Sequence, residues 1–172
     1  MQGDSPGGEA AEVADRLALA RAAVEAVADP EIPVLTIADL GVLRDVRLED
    51  DAVAVTITPT YSGCPAMDVI ALEIETALAR AGFAAARVRT TLSPAWTTDW
   101  LTEAGREKLR AYGIAPPPAG AGRAALVGAP APACPLCGSA RSELISAFGS
   151  TPCKALHRCL DCREPFDAFK CH

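Results

Sequence analysis

Aromatic residues are scarce: four Phe, two Trp and two Tyr make up 5% of the 172 residues. A core must therefore be built from Val, Leu, Ile and Ala, and exposed stacking platforms for nucleic-acid bases are not expected. Histidine is rarer still. His157 and His172 are the only two, so nothing earlier in the chain offers an imidazole as general base. Nowhere do eighteen uncharged apolar residues run together, which argues against a transmembrane helix. The opening MQGDSPGGEAAEV lacks the basic start and apolar stretch of a secretory signal. A cytoplasmic protein with no membrane partner is expected.

What the chain does have is apolar material and unevenly spread charge. Half the residues are hydrophobic and 22% are charged, enough for a buried core and little sign of global disorder. Of the net charge of −6, residues 1–115 carry 10 basic and 18 acidic side chains (−8), and residues 116–172 carry 6 and 4 (+2). The acidic main part would repel nucleic acid. In the tail, Arg141, Lys154, Arg158 and Lys170 lie among cysteines, where positive charge favours thiolates.

Six of the seven cysteines fall after position 133, and four form two CxxC pairs, Cys134/Cys137 and Cys159/Cys162, separated by twenty-one residues. Clustering of this kind points to metal rather than to a disulfide framework. Each pair can set two sulfurs on one ion from a tight turn, and a hairpin through Glu143–Phe148 brings the turns together to complete a tetrahedron. Structural zinc is the expected occupant, with an iron–sulfur cluster as the competitor for the same ligands. Four protein ligands leave no open position, so the ion is not expected to catalyse. Cys153, His157, Cys171 and His172 stand outside the pairs. Each could replace a ligand or form a second, weaker site, but Cys153 reads more simply as a small packed residue.

The organisation follows from periodicity and breakers. Residues 1–11 read as a disordered tail. Val13, Leu17, Ala20, Val24 and Val27 form one apolar stripe on a helix that Pro30 stops. Alternation through Val46, Leu48, Val53, Val55 and Ile57 predicts a β-hairpin. A helix from Pro65 to about Arg80 follows, with Ile70, Ile74, Ala77 and Ala81 as its buried face. Next come a strand through Val88, Thr90 and Leu92, the pair Trp96 and Trp100 as core or domain-contact residues, and a short helix over Thr102–Tyr112 ending at Gly113. This order suits an α/β domain (an α+β sandwich) over residues 12–114, a small mixed sheet with helices on one face. A Pro/Ala/Gly linker over 115–133 and a zinc ribbon over 134–172 complete the chain, with two independent cores expected.

Cys64 is the one cysteine of the first domain and sits between Gly63 and Pro65, where a helix should begin. A helix N-terminus favours the thiolate, so a reactive or metal-holding thiol is one reading and a buried thiol the other. Asp29 and Glu31 could bring carboxylates near it if their turn packs over the strand end. The simpler reading of Asp29-Pro30-Glu31-Ile32-Pro33 is helix termination with solvated acids.

The run Asp29–Ile37, the following Asp39-Leu40-Gly41, and Thr58-Pro59-Thr60-Tyr61-Ser62-Gly63-Cys64-Pro65 resemble the small domain of cytosolic iron–sulfur assembly factors. Phe148-Gly149-Ser150-Thr151, Cys153–Leu156, Glu164–Asp167 and Phe169-Lys170-Cys171 are similar to the tail of the PaaD branch of that family, which serves the phenylacetyl-CoA oxygenase (epoxidase) of aromatic degradation. The resemblance implies functional roles for Cys64, Asp29 and Glu31. It also implies an iron–sulfur cluster or iron as transient cargo, and oxygenase or reductase subunits of that system as partners. A non-catalytic maturation factor is therefore expected. A subunit retained in the active oxygenase and a nucleic-acid-binding zinc ribbon are the alternatives, and homo-oligomerisation is left open.

Overall fold

The computed structural model describes residues 6–50, 52–117 and 131–170. Most of the expected linker, together with Cys171 and His172, lies outside the described residues.

Helix α1 (Pro6–Glu25) starts within the segment read as disordered. Proline suits a first helical turn, and Glu9-Ala10-Ala11-Glu12 are good helix formers. Ala20 and Val24 are fully buried, but Val13 is 51% exposed, so the apolar stripe meets the core only along its C-terminal half. Strands β1 (Leu43–Glu49) and β2 (Ala52–Ile57) form the expected antiparallel hairpin, and β2 pairs in parallel with β3 (Ala86–Thr90). The connection from β2 to β3 is helix α2 (Ala66–Arg80). Its buried face is Ala66, Ile70, Ile74 and Leu78, since the four-residue step from Ile74 falls on Leu78 and not on Ala81. Leu92, read as a strand residue, lies beyond β3 and is exposed. Both helices pack together, α1 against β1 and α2 against β3. The three-stranded mixed sheet agrees with the architecture read from the sequence.

The loop between α1 and β1 is buried. Ile32, Leu35, Ile37 and Leu40 anchor it in the core. Asp39 accepts from Thr36 N at 3.0 Å while its own N–H bonds Thr36 Oγ1 at 3.0 Å, and Lys108 Nζ reaches its carboxylate at 2.6 Å. Gly41 has φ +67°, and a Cβ there would sit 2.5 Å from Trp100 Cβ, so only glycine fits. Helix α3 (Glu103–Ala111) is capped by Thr102, whose hydroxyl accepts from Gly105 N at 2.9 Å.

The second sheet is not confined to the ribbon. Its order is β4-β7-β6-β5, where β5 (Ser142–Ser146), β6 (Lys154–Cys159) and β7 (Pro165–Phe169) form an antiparallel meander. Strand β4 (Ile114–Ala115), the end of the first domain, adds to β7 in parallel. The two-residue alternation of strands then directs side chains to opposite faces. Ile114 and Phe169, with Cys153, join the core of the α/β domain, while Ala115, Phe166, Ala168 and Cys159 form a second, smaller core. Trp96 and Phe169 meet across the seam with ring centroids 6.0 Å apart, and Trp96 Nε1 donates to Leu40 O at 2.8 Å. Arg106, 7% exposed, donates to Thr98 O at 2.7 Å and to Pro117 O, tying down the chain after β4. The expectation of two independent cores is therefore corrected: one face of the ribbon sheet completes the first domain's core.

Candidate metal centre and thiol site

The four CxxC cysteines converge at one end of the second sheet. Their sulfurs all lie within 4.8 Å of one another, with Cys134 and Cys162 Sγ 3.8 Å apart and Cys137 and Cys159 Sγ 3.6 Å apart. A tetrahedron with metal–sulfur bonds of about 2.3 Å has sulfur–sulfur edges of about 3.8 Å, so the spacing fits zinc. Both turns use the same device. Four residues after its first cysteine each has a positive φ, +77° at Gly138 and +69° at Arg163, and Gly138 N donates to Cys134 O at 2.9 Å. The turns are pinned to one another by Asp161, which accepts from Arg141 Nη1 at 2.9 Å and from Ser139 Oγ.

Backbone N–H groups aim at the sulfurs: Ser139 at Cys137, Cys162 and Asp161 at Cys159, and Glu164 at Cys162. Those of Cys162 and Asp161 hold the Cys159 thiol down, to about 6. At Cys162 the N–H of Glu164 also lowers the value, but burial and hydrogen bonds with Cys159, Cys137 and Cys134 push it up to about 12. A cation bound by these sulfurs displaces whatever protons they carry, so its affinity falls as pH falls. His157 stacks on Phe166 at 5.8 Å, and its Nδ1 is buried without a partner among the described residues. It is not among the cysteine ligands.

The second site forms at the seam. Asp29 is not a solvated acid. It is 9% exposed, and its Oδ1 accepts from Glu31 N at 2.9 Å and Ile32 N at 2.8 Å, closing the turn that presents Glu31. Burial raises the Asp29 pKa, against those two N–H groups and the nearby Lys154 ammonium. Cys64, half-buried, precedes the helix N-cap Pro65, and its N–H bonds Tyr61 O at 3.2 Å. The Tyr61 hydroxyl hydrogen-bonds the Cys64 thiol. Here the expectation of a helix-favoured thiolate is corrected. Burial pushes the Cys64 thiol up, the charges of Glu31 and Asp29 add to the rise, and the N–H of Ala66 opposes it without prevailing.

Cys153 enters the same place from the ribbon. It is 5% exposed, its Sγ donates to Glu31 Oε2 at 3.4 Å, and Thr151 Oγ1 lies 3.0 Å away. Burial, then the hydrogen bond and charge of Glu31, push its thiol up to about 11 against Thr151 and Lys154. A shaped loop delivers it. Gly149 N donates to Lys154 O at 2.7 Å, Ser150 Oγ bonds Asp167 Oδ2 at 2.7 Å, and a Cβ on Gly149 would strike Asp167 Oδ1 at 2.3 Å. Beside the seam a cleft of about 580 Å³ is bordered by Glu31, Tyr112, Phe148, Ser150, Lys154 and Asp167.

The structure thus brings Asp29, Glu31 and Cys64 together and adds Tyr61, Lys154 and Cys153, which sequence periodicity does not single out. The signal that could have found Cys153 is the pair of segments Phe148–Thr151 and Cys153–Leu156, which carry part of the resemblance to the PaaD tail.

Comparison with known proteins agrees with both halves. The profile of the PaaD zinc beta ribbon domain matches residues 119–170, and that of an iron-sulfur cluster assembly protein matches residues 18–89. A protein of Escherichia coli K12, provisionally named as a component of 1,2-phenylacetyl-CoA epoxidase, is 52% identical over 84% of this chain and 87% of its own length. The Fe-S protein maturation auxiliary factor YitW of Bacillus subtilis is 37% identical over 46% of this chain and 79% of its own. In structure, a DUF59 domain of unknown function from Bacillus anthracis superposes with a TM-score of 0.53 at 24% identity, covering 58% of this chain and 96% of that one, which supports the fold alone. Among the described residues no helix is long and apolar enough to cross a membrane.

Proposed function

The chain belongs to the PaaD family of 1,2-phenylacetyl-CoA epoxidase components, and from that membership we propose that it is a non-catalytic maturation factor for the iron-containing centres of such an epoxidase complex. The observation that carries this reading is the gathering of the Cys64 thiol, the Asp29–Glu31 turn and Tyr61 in a domain whose relatives are named for iron–sulfur maturation. Iron or a cluster is the cargo, engaged by Cys64. Burial and the charges of Glu31 and Asp29 raise the Cys64 pKa, so metal binding must displace a proton from it, which weakens the hold and favours release of the cargo.

Zinc in the four-cysteine site is structural. With every ligand supplied by protein, it folds the end of the sheet and does no chemistry on substrate. No histidine occurs before His157 in the sequence, so the α/β domain that carries Cys64 offers no imidazole base of its own.

The experiment is to produce the epoxidase components in cells holding the wild-type chain, Cys64→Ser, or none, and to measure iron in the purified oxygenase and reductase. Iron-poor components with Cys64→Ser are expected. Full iron and normal activity in all three would refute the reading. The name of the Escherichia coli relative favours a second reading, a component kept in the working complex. Co-purification with active oxygenase at fixed stoichiometry would select it.

A further inference from the structure

We propose that the ribbon supplies half of the cargo site: Cys153 acts with Cys64 as a second thiol ligand for ferrous iron or the iron of a cluster, and Glu31 accepts the Cys153 proton. This rests on the reading of Cys64 as the metal-engaging thiol and adds to it a ligand from the other end of the chain.

Three observations carry it. Cys153 reaches a carboxylate 122 residues away in sequence, and it is the acid of the turn that flanks Cys64. Tyr61 links the two sulfurs electrostatically: its hydroxyl is hydrogen-bonded to Cys64, and Glu31 and Cys153 add to its raised pKa after burial and Cys64. The loop before Cys153 is also more elaborate than a packed residue needs, with Gly149 admitting Asp167 and Ser150 holding it. A small apolar side chain would fill the same volume without a hydrogen bond to Glu31.

The chemistry balances without electron transfer. Ferrous iron forms two iron–sulfur bonds and two S–H bonds break. The Cys153 proton passes along the existing hydrogen bond to the Glu31 carboxylate, and the Cys64 proton leaves to solvent. Lys154, buried beside Asp29 and Cys153, offsets the remaining negative charge. Among the described residues, the four zinc-type cysteines are the one group of three or more metal-ligating side chains whose ligand atoms lie within 4.8 Å of one another, so Cys64, Cys153 and Glu31 are not preassembled as a closed set. Two thiols leave further positions to the cargo's own sulfides or to the client, as a carrier requires.

The test is an anaerobic titration of the full, zinc-loaded chain with Co(II), whose thiolate charge-transfer absorption counts sulfur ligands. Cys64→Ser and Cys153→Ser should each leave roughly half the added absorption and weaken binding about tenfold or more. The double variant should lose the absorption. Cys153→Ala, which preserves packing, should behave as Cys153→Ser, with zinc content and near-UV dichroism confirming the fold. In the wild-type chain, Co(II) should slow alkylation of both Cys64 and Cys153, a readout that needs no variant. Full absorption in both Cys153 variants with loss only in Cys64→Ser, or protection of Cys64 alone, overturns the role of Cys153 and leaves the maturation reading standing. Absorption unaffected by Cys64→Ser overturns both.

Discussion

Phe169→Ala tests whether the seam carries energy. Phe169 is 5% exposed, sits at the end of β7, and packs on Trp96 within the core of the α/β domain. Truncating a buried Phe to Ala costs about 3–5 kcal/mol through lost transfer energy and the cavity left behind. In a chain of this size that lowers the thermal midpoint by roughly 6–20 °C. The local reporter is Trp96 fluorescence in a Trp100→Phe background, since Trp96 would lose the ring above it and gain water. Leu144→Ala on β5 is the control. Leu144 is 58% exposed, and its loss should stay within about 0.5 kcal/mol. Calorimetry of the metal-loaded chain should show the Phe169→Ala midpoint falling for the whole cooperative unit. An unchanged midpoint with unshifted Trp96 emission would mean that the ribbon merely touches the first domain, and the shared core described above would be wrong.

The wild-type chain is expected to hold about one zinc, and Cys137→Ser or Cys159→Ser should abolish it by metal analysis and melt the small core around Phe166, because comparable sites supply about 10–16 kcal/mol of folding free energy; retention of stoichiometric zinc would show that other ligands hold it. Cys64 should alkylate more slowly than free cysteine at pH 7.5 and accelerate as pH rises above 9, since burial and then the acidic turn raise its pKa. Glu31→Gln should speed it at fixed pH, and faster-than-free reaction by mass spectrometry would contradict this. Asp39 is held below the usual carboxylate range because hydrogen bonds from Lys108 and Thr36 outweigh burial. Its contribution is therefore present above about pH 4 and lost as pH falls through the lowered value. Asp39→Asn should cost about 1–2 kcal/mol at pH 7, discounted because Lys108 is partly exposed, and flatten the acid limb of denaturant midpoints; parallel curves for both proteins would refute the assignment.

Local pattern makes much of this protein readable. The hairpin, helix α2, the Thr102 to Gly113 helix and the paired CxxC turns each depend on residues a few positions apart, so period and spacing reveal them. Trp96 is a core and domain-contact residue, as its place in the sequence suggests. What the pattern could not show is the seam, where Ile114, Cys153 and Phe169 meet a core built mostly from residues before 110. Asp29 shows the same limit. A proline turn with acids reads as solvated, yet Asp29 folds inward because two N–H groups of its own turn satisfy it. The charge state of Cys64 also escapes, since a helix N-terminus argues for a thiolate, whereas its burial and acidic neighbours come from tertiary packing.

Strand β7 sets a limit on how this protein could be taken apart. A protease or a gene truncation acting between residues 118 and 130 would leave β4 on one fragment and β7 on the other. The first fragment would expose Trp96 and the floor beneath Phe169. The second would show an apolar strand face and an unpaired edge, both invitations to aggregation. The ribbon is therefore not a transferable tag that could be grafted onto another carrier with its properties intact. Its folding is bound to the domain it closes.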